Sequence, residues 1–555
     1  MENLILISNS SVQFSSVQFS SVQFSSVQFS SVQFSYNNYS LKFFVTSALF
    51  YFYYVYSLGI ISKLCRSIHF ILVISIRLLN TFYKNSNFIG GFIMNSKKLF
   101  LFACMLILAL SCKDNSYSPG GESDGNNGGS SGGAGGGSGG GQEIGGGYIL
   151  PQGSLSQEEQ KKIYDPNINT TTLFKRVAGA KEHYRIPAII VTSNNVIITA
   201  NDIRQNSTKD LGQAGQGPID VVVRRSEDLG KSWGPNIKVG QGATTKENSY
   251  GDAFLVNCHN GDVILGVVTY GGFVGQPAGK TVLYRSSDDG KTWVSNTALN
   301  VPNGAKAAFA ASGQAVTLRH GPNAGKQNLL FTYIVKRNDN LLANIIAFSE
   351  DDGKNWKFSS PSTGDNLLDE TKSIELSDGR VMLNHRRSVS VGQRQWSLAN
   401  YPYTSWTKQG IDPEIDDPGN NADLARYEFN GYPIKDKNYI LFINANIKKN
   451  GTWFQNRKNH YVSLTKNEFG NGKGTQTGKY AYRKQLVNGG ESLYSGYPAI
   501  TVLPDGTIAT LTEETTQNLQ DQYDIVFRRF NLYWLSGGAE YVDYDKDPLF
   551  QTKNN

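Results

Sequence analysis

Ser226-Glu-Asp-Leu-Gly-Lys-Ser-Trp233, Ser286-Ser-Asp-Asp-Gly-Lys-Thr-Trp293 and Ser349-Glu-Asp-Asp-Gly-Lys-Asn-Trp356 share one pattern, Ser-x-Asp-x-Gly-Lys-x-Trp, at spacings of 60 and 63 residues. Each follows an apolar run of strand character, such as Val221-Val-Val or Ile345-Ile-Ala-Phe. The chemistry is that of a tight turn. Ser and Asp side chains bond to nearby backbone, Gly takes the positive-φ position, and Trp packs the turn onto a sheet. Three copies at a near-constant period point to a repeated four-stranded unit.

Hairpin signals flanked by apolar runs supply the rest of the period. They fall at Ser193-Asn-Asn195, Asn260-Gly-Asp262, Ser377-Asp-Gly379 and Pro504-Asp-Gly506. The first two are one unit apart and the later gaps are close to two, which leaves room for weaker hairpins near His320–Lys326 and Lys435–Asn438. Six units then lie between about residues 172 and 545. The expected fold is all-β, a six-bladed β-propeller of four-stranded antiparallel sheets. A linear β array would need capping repeats, and the sequence offers none.

Composition agrees. Only 18% of the 555 residues are charged, whereas Gly (58) and aromatics (12%) are abundant, a turn-rich profile opposed to a coiled coil or helical bundle. Four cysteines exclude a disulfide scaffold, and none are paired at zinc-ligand spacing. The formal net charge of +7 invites a nucleic-acid reading, but its location removes it. Residues 1–93 carry a net +4 and Lys97 and Lys98 a further +2, so the chain from Cys112 onward is +1.

Those first residues read as something other than the working protein. Ser10–Phe34 is five tandem copies of Ser-Ser-Val-Gln-Phe, a period that fits no solenoid or propeller repeat. Phe43–Ile61 is uncharged and long enough to cross a bilayer. At Met94 a secretory signal begins: Lys97 and Lys98, the apolar run Leu99–Leu110, then Ser111-Cys112. It resembles a bacterial lipoprotein signal, departing from the usual pattern at Ala109, and implies lipidation of Cys112. Residues 1–93 are either an amino-terminal membrane anchor or translated upstream sequence with Met94 the true start; the second is expected. Residues 94–111 are then the signal and 112–150 a tether, with 16 glycines between Gly120 and Gly147 and a reach of roughly 30 Å. Residues 151–555 form the propeller domain. The expected location is the outer membrane, facing the periplasm or the cell surface; Lys113-Asp114 after the cysteine resembles a surface-export signal of some Bacteroidetes lipoproteins.

Counting from the hairpins brings polar residues to one end of the blades. Arg185 lies nine residues before Asn194; Asp252, Glu370 and Tyr497 each lie eight before Asn260, Asp378 and Asp505. On the returning strands Arg204 lies ten after Asn194, and Arg386 eight after Asp378. Antiparallel pairing sets Arg185 near Arg204 and Glu370 near Arg386, at the end away from the turns. Since the first strand of each propeller blade lines the axis, residues of four blades should converge on one pocket.

With these residues in view the chain resembles the bacterial sialidases (neuraminidases) with Asp-box, or BNR, repeats. Tyr184-Arg-Ile-Pro187 opens the first blade ahead of three Asp boxes; Asp202-Ile-Arg204 is followed by Asp210; Asp369-Glu370 precedes Leu383-Asn-His-Arg386; Asn456-Arg457 opens a strand in the fifth unit; Tyr497 comes shortly before Pro504-Asp-Gly506. The resemblance implies that Arg185, Arg386 and Arg457 bind the carboxylate of a sialic acid, as guanidinium forks suit. It implies that Arg204 and Asp252 contact hydroxyls across the sugar ring. Asp210, on the glycine-rich loop Asp210–Gly217, would be the acid and then the base, and Tyr497 the nucleophile with Glu370 taking its proton. Sialidases depart from the two-carboxylate pattern of glycosidases in using a tyrosine. An anionic carboxylate would be repelled by the carboxylate on the anomeric carbon, whereas a neutral phenol is not.

Tyr494 and Arg387 compete with Tyr497 and Arg386, but the turn count and strand alternation favour the latter pair. Pro498 stands where many relatives have Ser. His183 and His259 read as structural or rim residues and Cys258 as a buried thiol. The implied function is exo-α-sialidase, a retaining hydrolase acting on sialylated glycoproteins, glycolipids or oligosaccharides, as a monomer held to a membrane by lipid, with no metal or organic cofactor and no nucleic acid. A trans-sialidase has the same catalytic set, and a sialoglycan-binding propeller without catalysis would have no need of an Asp, a Glu and a Tyr at these positions.

Overall fold

In the computed structural model the described residues are 148–551, apart from 275–276, 301, 303–304, 363–367, 388–391, 437, 448–456, 473–477, 488–492 and 516–521, together with the backbone of 32–36, 39–43 and 143–144. In the amino-terminal unit, Met1–Gly132, Val32–Tyr36 pairs antiparallel with Tyr39–Phe43. The signal at 94–111, Cys112 and nearly all of the tether lie outside the described residues.

The second unit is the six-bladed propeller that the repeats predict. Its inner strands are Glu182–Val191, Tyr250–Asn257, Ala305–Ala310 continued by Val316–Thr317, Leu368–Glu375, Ala422–Arg426 and Tyr494–Val502. Each pairs antiparallel with the next strand of its own blade, and so on outward. The two weaker hairpins stand where the spacing puts them, between Thr317 and Leu329 and between Arg426 and Ile440. The ring closes across the chain: Thr170–Phe174 is the outer strand of the sixth blade, with Phe174 opposite Ile525 and Thr172 opposite Val526.

The core lies between blades. Ala188, Ile190, Ile198 and Val221 of the first blade meet Ala253, Leu255, Val263 and Leu265 of the second. Phe254 and Ile264 meet Phe331, Tyr333 and Ile345; Leu330 and Phe348 meet Val381 and Leu383; Met382 and Trp396 meet Leu424 and Phe442. Sheets covered on both faces need apolar residues at successive positions, which is why strands such as Val263–Thr269 and Leu329–Arg337 read as near-continuous apolar runs.

Each Asp box is the turn between a blade's third and fourth strands and is bonded in the same way. The first serine hydroxyl donates to Asp228 Oδ1 (2.8 Å) and accepts from Gly230 N (2.8 Å), while Asp228 caps Ser232 N (2.8 Å); Asp288 and Asp351 repeat the scheme. Two positive φ values are needed, at Leu229 and Gly230, Asp289 and Gly290, Asp352 and Gly353. The glycine has a second reason. A Cβ at Gly353 would sit 2.5 Å from Ile264 of the preceding blade, and one at Gly230 2.4 Å from Phe527.

Candidate active site

The site-facing ends of four blades carry the same irregularity. Ile186, Asp252, Glu370 and Tyr497 each stand fifth before the end of their inner strand. Each lies in a β-bulge, where two residues of the inner strand oppose one of its neighbour. The bulge turns side chains that would face a neighbouring blade towards the axis. Ile186 and Asp252 take left-handed backbone, φ 60° and 53°, which is strained for a β-branched residue. Pro187 lies within the first-blade bulge and Pro498 directly follows that of the sixth, where the ladder is interrupted and a missing N–H costs little.

These side chains line a cleft of ≈ 470 Å³. Of the eight substrate-contacting and catalytic residues expected from the sequence, seven line it: Arg185, Asp210, Asp252, Glu370, Arg386, Arg457 and Tyr497. Tyr494 and Arg387 do not line it.

Tyr497 is at the centre. Its hydroxyl donates to Glu370 Oε2 at 2.6 Å and accepts from Arg386 Nη1 at 2.7 Å. Arg386 also bonds Glu370 directly. The guanidinium carbons of Arg457, Arg185 and Arg386 lie 5.3, 5.5 and 5.9 Å from the phenol ring centre. Burial raises the phenol's pKa well above its ordinary value, and Glu370 adds to this, while the three arginines pull it down. The phenol is therefore neutral, with an acceptor on its proton and cations around its oxygen.

Arg185 is fixed from behind by Glu513, a residue the sequence reading missed. The fully buried Glu513 carboxylate accepts Arg185 Nε (2.8 Å), Ile186 N (2.7 Å) and Tyr497 N (2.8 Å). It locks the strained bulge of the first blade to the bulge that carries Tyr497. Its signal was present: Glu513 stands eight residues after Asp505, the same count that finds Arg386 after Asp378.

Arg204 departs from expectation. Rather than facing the cleft it is fully buried behind the wall. Its Nε and Nη2 bond Asp202 Oδ2 (3.1 and 2.9 Å), and its Nη1 bonds Thr208 O (2.8 Å) and Asp210 Oδ1 (2.6 Å). Four of its five N–H donors are thus committed, and one of them holds Asp210. The reason is the first-blade register, which sets Arg185 opposite Asp202 and His183 opposite Arg204, beyond the bulge.

Asp210 is half exposed, and its other oxygen accepts Gln213 Nε2 at 3.1 Å. Burial works to raise its pKa, but Arg204 and, with less effect, Arg185 and Arg457 bring it down to about 2. Asp252 behaves oppositely: burial and the neighbouring Asp202 push it well above the usual carboxylate range. The Asp210 loop is anchored by Leu211, which is buried against the close-packed Gly251 and Gly272.

Leu211, Val268, Phe273, Val274, Phe309 and Leu342 form an apolar wall on the side of the second and third blades, with Phe273 and Phe309 edge to face at 5.5 Å. No motif signals these residues. The cleft thus pairs cationic and hydrogen-bonding groups with an apolar flank. Cys258 is buried, and its thiol is pushed up to about 12 by burial.

Residues 212–509 match the family described as the BNR repeat-like domain. The chain is 30% identical over 415 residues to a sialidase of Micromonospora viridifaciens, covering 71% of this chain and 57% of that protein. It is 26% identical over 249 residues to a sialidase of Bacteroides fragilis, covering 40% and 43%. The chain thus spans about half the length of these curated relatives. Among solved structures, a Hadza microbial sialidase superposes with a TM-score of 0.52 at 21% identity, covering 64% of this chain and 66% of that one. The intramolecular trans-sialidase of Ruminococcus gnavus, in complex with oseltamivir carboxylate, gives 0.52 at 17% identity, covering 66% and 98%. These two show a shared fold. With a family match over more than half of its residues and sialidases as its curated relatives, the chain belongs to the BNR-repeat family of sialidase-type propellers.

Proposed function

We propose that this protein is an exo-α-sialidase that removes terminal sialic acids from glycoconjugates with retention of configuration. The observation that supports this best is the Tyr497 hydroxyl bonded at once to Glu370 (2.6 Å) and Arg386 (2.7 Å), with Arg185 and Arg457 on the same ring. Three guanidinium groups at one point suit a carboxylate. With the sugar's carboxylate on them, the anomeric carbon is brought to the phenol oxygen. Tyr497 Oη attacks that carbon as its proton passes to Glu370; the bond to the leaving oxygen breaks, and Asp210 protonates that oxygen. The proton Asp210 gives is one it takes up from solvent on substrate binding. Water then attacks the same carbon while Asp210 takes the water's proton, restoring its acid form, and Tyr497 leaves, recovering its proton from Glu370. Two displacements give retention.

The carboxylate on the anomeric carbon favours a neutral nucleophile, and a buried phenol stays neutral until Glu370 deprotonates it. Residues 94–112 carry the further reading that Cys112 is lipidated and the propeller tethered to an outer membrane. One assay tests the function: release of fluorophore from an α-sialoside by wild type, Tyr497→Phe and Arg185→Ala, with NMR of the first-formed anomer. Wild-type release as the α-anomer, lost in both variants, is expected. Full activity in Tyr497→Phe would remove the tyrosine from the mechanism, and sialyl-lactose formed on adding lactose would mark a transferase.

A further inference from the structure

The shaft between the six inner strands has a second mouth, at the hairpin end. A cavity of ≈ 110 Å³ there is lined by residues of all six blades, among them Val191, Asn257, Thr317, Glu375, Arg426 and Val502. Four atoms on its lining residues are buried with no hydrogen-bond partner among the described residues: Asn257 Oδ1, Gln314 Oε1, Ser373 Oγ and Arg426 Nη2. The Arg426 side chain is 5% exposed. Arg319 lines the same cavity, and its main-chain N–H, not its guanidinium, is what bonds Glu375. Gly431 makes room for it: a Cβ there would lie 2.7 Å from Arg319 Cδ.

We propose that this mouth binds a small oxyanion of the phosphate or carboxylate class, held by Arg319, Arg426 Nη2 and Ser373. The local carboxylates are already committed. Glu375 accepts Arg319 N, His320 N and Asn323 Nδ2 at 2.6, 3.0 and 2.8 Å. Glu428 accepts His320 Nε2 at 2.9 Å and Arg426 Nε at 3.1 Å; Glu468 accepts Arg426 Nη1 at 2.9 Å and Ser377 N at 2.6 Å. What remains uncommitted is donor capacity on two guanidinium groups and a hydroxyl, the complement of an oxyanion. A protonated oxygen, as in hydrogen phosphate, would satisfy Gln314 Oε1 or Asn257 Oδ1. The volume admits an ion of that size. Burial lowers the Arg319 pKa against the pull of Glu428 and Glu375, so an added negative charge also relieves a desolvated cation.

The cleft's arginines would also attract oxyanions, so the test separates the two mouths. Inorganic phosphate, and in a second arm acetate, is titrated calorimetrically at constant ionic strength into wild type, Arg319→Gln, Arg319→Lys and Arg185→Ala. Expected is saturable binding of at least one anion that survives Arg185→Ala, weakens at least tenfold in Arg319→Gln and is partly restored in Arg319→Lys. Binding lost in Arg185→Ala and kept in Arg319→Gln, or no saturable binding of either anion to wild type, overturns the proposal. Unliganded melting curves of the Arg319 variants serve as the control for folding.

Discussion

Replacing Glu513 by Gln tests whether the site is held from behind. The carboxylate shares three donors between two oxygens: Oε1 takes Arg185 Nε and Ile186 N, and Oε2 takes Tyr497 N. A glutamine is nearly isosteric but has one acceptor oxygen. Whichever way its amide faces, an NH₂ meets at least one N–H donor, and the buried Arg185, 3% exposed, loses the negative charge of Glu513. Removing one member of a buried ion pair costs roughly 3–5 kcal/mol. The left-handed Ile186, strained by about 1–3 kcal/mol, also loses the bond that holds it. The structure can relax by letting the first-blade bulge move, which displaces Arg185 and the Tyr497 backbone together. If half or more of the pair's cost appears in the transition state, kcat/KM for a sialoside falls by between about 10-fold and about 5,000-fold, at 1.36 kcal/mol per tenfold. Steady-state kinetics with melting curves decide it. A Glu513→Gln protein within threefold of wild-type kcat/KM would show that Glu513 neither positions Arg185 nor supports Tyr497.

Two further outcomes are expected. Asp210, held by Arg204 at about 2, has a folded-state pKa below the ordinary carboxylate value of about 3.9, so its contribution to stability is present above that value and lost as pH falls through the folded one. The stability difference between wild type and Asp210→Asn should therefore be constant above about pH 5 and shrink between about pH 4 and pH 2, read from melting temperatures across pH; a difference flat down to pH 2 contradicts the ion pair. Gly353→Ala puts a Cβ 2.5 Å from Ile264 at φ 79° and should destabilise the protein by about 1–3 kcal/mol while leaving kcat/KM at 25 °C unchanged; an unchanged melting temperature would deny the glycine its packing role.

The fold was legible because its punctuation is chemical. A Ser-x-Asp-x-Gly turn needs those side chains for its internal bonds, and three copies set the period of the ring. The hairpin counts worked for a reason the sequence does not display. Asp252, Glu370 and Tyr497 keep a constant distance from their turns because the blades repeat one bulge, which no residue pattern announces. The same bulge explains the misplacement of Arg204, since counting along an unbroken ladder overlooks the extra residue. Glu513 was countable but stood outside the set the family resemblance supplied. The apolar wall was not legible at all: Phe273 and Val274 come from a loop of the second blade and Leu342 from a strand end of the third, and only the packing of those two blades side by side brings them together.

Arg204 has a role that fits its burial better than sugar contact does. In the free protein it holds Asp210 ionised, yet an acid that protonates a leaving oxygen must carry a proton. On the proposed function, the substrate's carboxylate would offset Arg185 and Arg457, two of the charges that pull Asp210 down. Arg204 itself remains, and the cost of parting from it depends on what it keeps. Its Nε and Nη2 stay on Asp202, which is fully buried, so Asp210 can swing towards the leaving oxygen without stranding a bare cation in the wall. Asp202 answers in turn to Asp252, whose main-chain N–H it accepts at 3.0 Å, so the carboxylate that secures Arg204 also fixes the backbone of a second cleft residue. Asp202 thus makes the acid's attachment reversible.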